Sequence, residues 1–488
     1  MYPFETKSEQ EILIEQALIP KEEKLGVKIG RLIRNHIASL EDIRTGVDYY
    51  NHNPEIFTYD PPMDLDGTVD ETKPDWRIDA NFHKLLVDQK VARLLGNAVL
   101  FKMGEEKEDE EILQKIGETF DDEFDDLLND IFTAASNKGV EWVHPWIDED
   151  GELQWHEVPA ERFVPIYEDD KKKKMIAGIY FYRLDGIDFA EYWTDETVQY
   201  FEKQNESYVE SMYFNMEYEK AHFKINGQGY GWGRVPFIPF RNNTQEVSDI
   251  WMYKNMIDAY NKRLSDMQNT FDASTEYVYV LKGYEGQDLT EFLQGIKHYK
   301  AINVDGESGG VDTIQIQIPV NETKEYLKMM RENIIDFGRG VDFTSDKFGN
   351  SPSGVALHVL FSGLDMKAKQ LERKARVGIR NMLWFLFQHH NINRDPKEVE
   401  MVFQYDTLQN KLEDAKIAQM SNGIISKQTI VANHPWVDDV QGEMERLEQD
   451  IMNISKTLPP LTGGDVDDEH GPGTDKQTDT SATDEIRK

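Results

Sequence analysis

The sequence predicts an α+β protein in which helix predominates, and three observations carry that reading. Apolar residues recur at steps of three and four over most of 28–131 and again beyond 246; short aromatic and β-branched runs fill 140–245; and a strand–helix–strand–strand pattern at 275–319 separates two helical segments. Each element follows from its own residues.

Residues 1–27 form an acidic, moderately amphipathic arm with Ile12, Leu13, Ile14, Ala17 and Leu18, expected either to lie on a neighbour or to fray. From Lys28 to Tyr50, residues Ile29, Leu32, Ile33, Ile37, Leu40 and Ile43 share one side of a helix. Residues 51–78 are loop by composition. The DLDG within them is no EF-hand, because Pro62 and Lys73 stand where ligands are needed. Asn81 to Leu95 is a helix stopped by Gly96. Between Gly104 and Asp130 thirteen acids face two bases, yet Leu113, Ile116, Phe120, Phe124, Leu127 and Ile131 keep helical period. The acids are therefore expected on the outward face of a packed helix. Residues 140–245 (VEWVHPW, LQWHEV, RFVPIY, MIAGIYFYRL and the runs after them) read as a meander of short antiparallel strands, with KKKK at 171–174 as a solvated turn.

Glu246 to Phe271 returns to helix. Here Ile250, Tyr253, Ile257, Tyr260, Leu264, Met267 and Phe271 form a narrow seam close to heptad spacing. The βαββ insert at 275–319 is too small to bury a core alone and must lean on something, most simply on copies of itself. Leu327, Met330, Ile334, Phe337 and Val341 then mark a helix, after which GRGVDFTSDKFGNSPSG at 338–354 supplies turn residues. Ser351 or Ser353 is the expected N-cap of the next helix. From Leu357 to Leu386 helical spacing continues without a proline, which predicts one helix of roughly 35 residues and about 50 Å. Gly363 and Gly378 are its expected bends. This helix carries Lys367, Lys369, Arg373, Lys374, Arg376 and Arg380 against Asp365 and Glu372. Such a face either pairs with acidic neighbours or lies near a phosphate backbone or an acidic partner. Residues 397–407 read as a strand and 409–457 as short helices; the tail from 461, polar and nearly free of apolar residues, is expected to be disordered.

Over all 488 residues, 91 acids oppose 54 bases for a formal charge of −37, which argues against tight non-specific binding to nucleic acid. The absence of cysteine excludes disulfides, thiolate metal sites and thiol nucleophiles. The opening MYPFETKSEQ lacks the pattern of a signal peptide, and MLWFLF at 382–387 is too short to span a bilayer, so a protein made in the cytoplasm, with no membrane partner, is expected. No phosphate loop, dinucleotide fingerprint, zinc helix or nucleophile elbow is present, and carboxylate pairs are too abundant to mean anything. These absences favour a structural protein with no catalytic residues, no metal and no cofactor.

The order of parts resembles the portal proteins of long-tailed bacteriophages infecting Gram-positive hosts. The resemblance rests on NFHKLLVDQKVARLLGNAV at 81–99, on VPFIPFRNNTQEVSDIWMYKNMIDAYNKRLSDMQNTFDASTEYVYVLKGY at 235–284, on FTSDKFGNSPSGVALHVLFSGLDMKAKQLE at 343–372 and on GIISKQTIVANHPWVDD at 423–439. It covers roughly residues 28–457. It implies a portal fold assembled as a ring, usually of twelve subunits, at one capsid vertex of the virion, with an axial channel through which double-stranded DNA is packaged and ejected. Carried onto this chain it implies a wing at 28–245, stem helices at 246–274 and 320–341, and a clip at 275–319. It further implies a tunnel loop at 342–353, a long kinked helix and strand returning to the wing at 354–408, and a crown at 409–460. The arm 1–27 and the acidic tail 461–488 are where members are expected to differ. The loop residues facing DNA would be Thr344, Ser345, Asp346, Lys347, Phe348, Gly349, Asn350 and Ser351, with Lys347 offering a weak phosphate contact. The remaining bases of the long helix are assigned to acidic neighbours in adjacent subunits. Implied partners are the large terminase subunit, a head-completion or connector protein, and the scaffold and major capsid proteins. Another head or adaptor protein, or a metal-dependent nuclease, are the competing readings.

Overall fold

The computed structural model describes residues 24–71, 73–169, 171–172, 174–205, 207–212, 214–215, 220–225, 227–273, 278–282, 310–314, 319–343, 354–405, 411–434, 437 and 440–457. The chain divides into two compact units, Met1–Leu408 and Gln409–Lys488.

The first unit opens with α1 (Leu25–Ala38) and α2 (Glu41–Tyr50). The single helix expected over 28–50 is broken at Ser39 and Leu40, where the Ser39 hydroxyl donates back to the His36 carbonyl at the end of α1. α3 (Phe82–Leu95) buries Phe82, Leu86, Val87, Val91 and Leu94. A short strand β1 (Leu100–Lys102) follows, and then the acidic segment forms α4 (Lys107–Thr119) and α5 (Asp122–Lys138). Here too one expected helix is two. The Asp121 carboxylate accepts from the amides of Glu123 (3.0 Å) and Phe124 (3.2 Å), and this N-cap starts a new helix where continuation was possible. The apolar period survives the break, so Ile116, Phe120, Phe124 and Ile131 are buried and most of the acids face outward.

The aromatic stretch forms two antiparallel sheets. β2 (Val140–Ile147) and β3 (Leu153–Val158) belong to one; β4 (Phe163–Tyr167), β5 (Met175–Leu184), β6 (Ile187–Trp193), β7 (Val198–Gln204) and β8 (Ser207–Glu210) form a meander in chain order. A small hairpin of β9 (Phe223–Ile225) and β10 (Gln228–Tyr230) precedes β11 (Ile238–Arg241), which joins β2 on the edge opposite β3. α1 covers the meander through Ile29 and Ile33 against Val164, Ile179, Ala190 and Phe201.

Between the sheets, His144 is enclosed by Trp193, Phe237 and His156, and its Nδ1 donates to the Pro236 carbonyl at 2.7 Å. Burial, more than the neighbouring His156, pushes its pKa down to about 3. The unfolded chain, titrating near 6.5, therefore takes up this proton first. Stability carried by a neutral His144 is intact above about pH 6.5 and drains away as pH falls toward 3. Glu141, pushed up to about 8 chiefly by burial, acts with the opposite sign, so the informative measurement is a comparison. Between pH 7 and pH 5 the wild-type chain should lose about 2 kcal/mol more than His144→Gln in urea denaturation. Equal losses would mean that His144 is charged in the folded state.

The segment expected as helix from 246 begins instead with a 3-10 turn at Asp249–Met252, capped by the Ser248 hydroxyl accepting from the Ile250 amide at 3.3 Å, and only then becomes α6 (Lys254–Ala273). Ile250 and Tyr253 of the expected seam therefore precede the helix. They and Ile257 are fully buried against Tyr49, Phe82, Leu86 and Ile334, Tyr260, Leu264 and Met267 are half-buried, and Phe271 is exposed. A second, polar row on α6 was not expected. Asn261 Oδ1 accepts from the Ala80 amide (3.1 Å), Ser265 Oγ from that of Ile78 (2.9 Å) and Asn269 Oδ1 from that of Trp76 (2.7 Å), so side chains at i, i+4 and i+8 satisfy an extended backbone as a strand would.

Of the insert, β12 (Val278–Lys282) and β13 (Gly310–Ile314) are antiparallel partners; the expected helix at 288–300 lies outside the described residues. α7 (Val320–Gly338) and α8 (Gly354–His389) come next, and β14 (Glu400–Val402) pairs with β1. At 36 residues α8 has the expected length, and its inner face, from Leu371 through Ala375, Ile379 and Met382 to Leu386, joins α3, α4, α5 and β11 in the largest core among the described residues. In the second unit α9 (Lys411–Met420), α10 (Lys427–Ala432) and α11 (Val440–Thr457) occupy the stretch read as short helices, with Ser426 capping α10 through the Thr429 amide at 3.2 Å.

Candidate functional site

The loop between α7 and α8 is the segment on which the sequence places function. Residues 344–353, with every expected channel residue from Thr344 to Ser351 and both serine caps, lie outside the described residues; their two ends do not. α7 closes in a Schellman arrangement: the Arg339 amide donates to the Asp336 carbonyl (3.1 Å) and the Gly340 amide to that of Ile335 (2.9 Å), with Arg339 left-handed at φ 54. The helix expected to run to 341 therefore ends at Gly338. Val341 is buried, and the Gln89 side chain holds both of its backbone groups, accepting from the amide at 2.8 Å and donating to the carbonyl at 2.9 Å. Asp342 then takes Arg331 of α7 in a two-point pair at 3.2 and 3.0 Å.

Beneath this root lies a buried ion cluster. Lys90 of α3 donates to Asp249 (2.7 Å) and to Asn242 (2.8 Å); Asn242 donates to the other Asp249 oxygen (2.8 Å); Lys367 of α8 lies 3.1 Å from Asp249 and donates to the Gly338 carbonyl at the end of α7 (3.0 Å). Lys90, Asp249 and Lys367 are all under one-tenth exposed. Although burial alone would raise it, the ammoniums of Lys367 and Lys90 hold the Asp249 carboxyl well below the usual carboxylate range. Burial pushes Lys90 down to about 8. Next to the cluster His83 shares a hydrogen bond with the Tyr253 hydroxyl at 2.8 Å, and burial pushes its imidazole down to about 4. Further along, Arg93 of α3 pairs with Asp365 of α8 at 2.7 Å. The α7 end of the segment is thus fastened to α3 by Gln89, and α8 is held to the same helix from Asp365 on, by Arg93 and through the shared Asp249.

This sorts the bases of α8. Lys367 is satisfied in the core, Lys374 donates to Thr244 (3.1 Å), and Arg376 pairs with Glu372 and donates to the Met401 carbonyl (2.6 Å). For Lys367 and Arg376 the expectation of an acidic neighbour in an adjacent subunit is corrected: their carboxylate partners, Asp249 and Glu372, are in the same chain. Gly363, an expected bend, has open van der Waals contact with Arg339; Gly378, the other, meets the Phe240 ring, and a Cβ there would stand 2.6 Å from its Cε1. Sequence reasoning missed Lys90 and Asp249. The available signal was a lysine on the apolar stripe of a helix, since Lys90 sits four residues after Leu86 and four before Leu94.

Known proteins similar to this chain bear on what the loop serves. Residues 29–457 match the family described as "Phage portal protein, SPP1 Gp6-like". The portal protein of Bacillus phage SPP1 is 34% identical over 507 residues, covering 99% of this chain and 97% of that protein. The portal protein of Clostridium phage phiCD119 is 30% identical over 452 residues, covering 88% and 97%. Among solved structures, a chain of the neck of an empty GTA particle aligns at 11% identity with a TM-score of 0.44, covering 72% of this chain and 87% of that one. A chain of the native particle's neck gives 11% and 0.41, covering 73% and 89%. With the family match spanning 29–457 and both portal relatives aligned over nearly their full length, the chain belongs to the SPP1 Gp6-like phage portal proteins.

Proposed function

We propose that the chain forms a ring at one capsid vertex of the virion, twelve-membered as is usual in the family, and that double-stranded DNA is packaged and ejected through its axial channel. The membership over residues 29–457 carries this reading. In it, 246–274 and 320–341 supply the stem, 275–319 the clip that docks the large terminase subunit and later a connector protein, and 342–353 the tunnel loop. Scaffold and capsid proteins surround the wing at 28–245, and 409–460 form the crown. The role is structural rather than enzymatic. Gly363 and Gly378 are the points at which α8 bends if the ring requires it.

The anchoring of the loop supports the reading physically. A channel must guide DNA without holding it, because each phosphate neutralised by a bound cation adds affinity and drag. A chain of charge −37 suits that, and a segment whose α7 end is held at Val341 and Asp342 gives a moving duplex a fixed root to pass. Lys347 is the expected phosphate contact. Lys347→Glu should assemble as the wild type does but change the rate of DNA packaging or the retention of packaged DNA, as read by nuclease-protected DNA per particle. Packaging and retention unchanged in intact particles would remove Lys347 from the channel.

A further inference from the structure

Three bases of α8, Lys369, Arg373 and Arg380, have no hydrogen-bond or ion-pair partner among the described residues, and the Nε of Arg380 is buried without an acceptor there. At 100° per residue they fall on one face, which they share with Met366 and Val377, about half exposed. This face is neither a solvated charged surface nor a core surface. Exposed apolar side chains between unpaired cations suit a protein partner of opposite charge better than a phosphate backbone, which offers nothing to methyl groups.

The same chain carries the complement. On α5, Asp122, Asp126 and Asp130 recur every fourth residue on the outer face, without a basic partner among the described residues. Their spacing along the axis, about 6 Å, is that of Lys369 and Arg373. The two faces cannot meet within one molecule. α5 and α8 both turn their apolar sides to the same core, where α3 and β11 stand between them: Phe240 of β11 touches Phe132 of α5 on one side and Gly378 of α8 on the other. The charged faces therefore look away from each other.

Resting on the ring reading above, we infer that the α8 face of one copy docks on the α5 face of the next. Two different, oppositely directed surfaces give a head-to-tail contact, the kind that closes a ring when repeated. The occupant of each face is thus a second copy of this chain.

The test uses the full chain and measures ring and monomer populations by mass photometry against protein concentration at low salt. Lys369→Glu with Arg373→Glu, and separately Asp122→Lys with Asp126→Lys, should each raise the concentration of half-assembly at least about tenfold, since like charges then oppose each other. The fourfold variant should recover wild-type assembly. All these positions are exposed, and unchanged circular dichroism will show that the variants fold. Double variants that assemble as the wild type does, or a fourfold variant that stays with the doubles, overturn the docking. Doubles that assemble normally but lose duplex DNA would assign the α8 face to nucleic acid instead, also overturning it. A wild-type chain that never forms rings would overturn the ring reading itself.

Discussion

Asp249→Ala should lower stability by about 3–5 kcal/mol, the cost of leaving buried charges without their counter-ion. Two ammoniums converge on this carboxylate, at 2.7 Å from Lys90 and 3.1 Å from Lys367, and all three side chains are buried. Without it, Lys90 and Lys367 are left facing each other with only Asn242 and the Gly338 carbonyl as acceptors. The pH dependence separates this from simple loss of packing. A lysine whose folded pKa lies below its unfolded value of about 10.4 destabilises while it is protonated, and stability rises with pH between the two values. Lys90 already stands at about 8 beside Asp249 and falls further without it, so the deficit of Asp249→Ala, measured by urea denaturation, should shrink as pH rises from 7 to about 8, above which both chains gain alike. A pH-independent deficit would show that the lysines find other partners. Because Lys367 also holds the end of α7, amide exchange of Arg339 to Val341 should speed up in the same variant.

The second large effect lies where α8 crosses β11. Phe240 is fully buried, its ring edge-on to Phe132 at 5.5 Å and seated in the notch left by Gly378. Phe240→Ala should cost about 3–5 kcal/mol. Gly378→Ala alone should cost about 1–3 kcal/mol, because three ring carbons lie within 2.8 Å of the new Cβ and the ring has nowhere to go. In the Phe240→Ala background that clash is gone, and the same substitution should stabilise by up to about 1 kcal/mol through helix propensity. The change of sign is the result to look for. If Gly378→Ala has the same sign in both backgrounds, the glycine serves another purpose there.

These two sites also show what could be read in advance. Period and turn chemistry are local, so α3, α8 and the β-meander were legible from apolar spacing alone, and α8 was expected at nearly its observed length. Helical spacing marks Gly378 only as a place where α8 can bend. Its close approach to Phe240 depends on a strand over a hundred residues earlier that no spacing announces. Asp249 could not be singled out among 91 acids, since its meaning lies in Lys90, 159 residues away in sequence. The breaks at Ser39 and Asp121 have a different origin: apolar period continues through both, and they are marked only by local side-chain hydrogen bonds, one at Ser39 and two at the Asp121 cap.

Single-particle imaging of the purified full chain is the most direct measurement to make. It should show a ring with an axial hole about 20–40 Å across, room for a duplex whose major groove alone is about 12 Å wide, and with residues 342–353 turned toward the axis. A compact dimer or tetramer without an axial hole, or a ring carrying this loop on its outer rim, would contradict the channel.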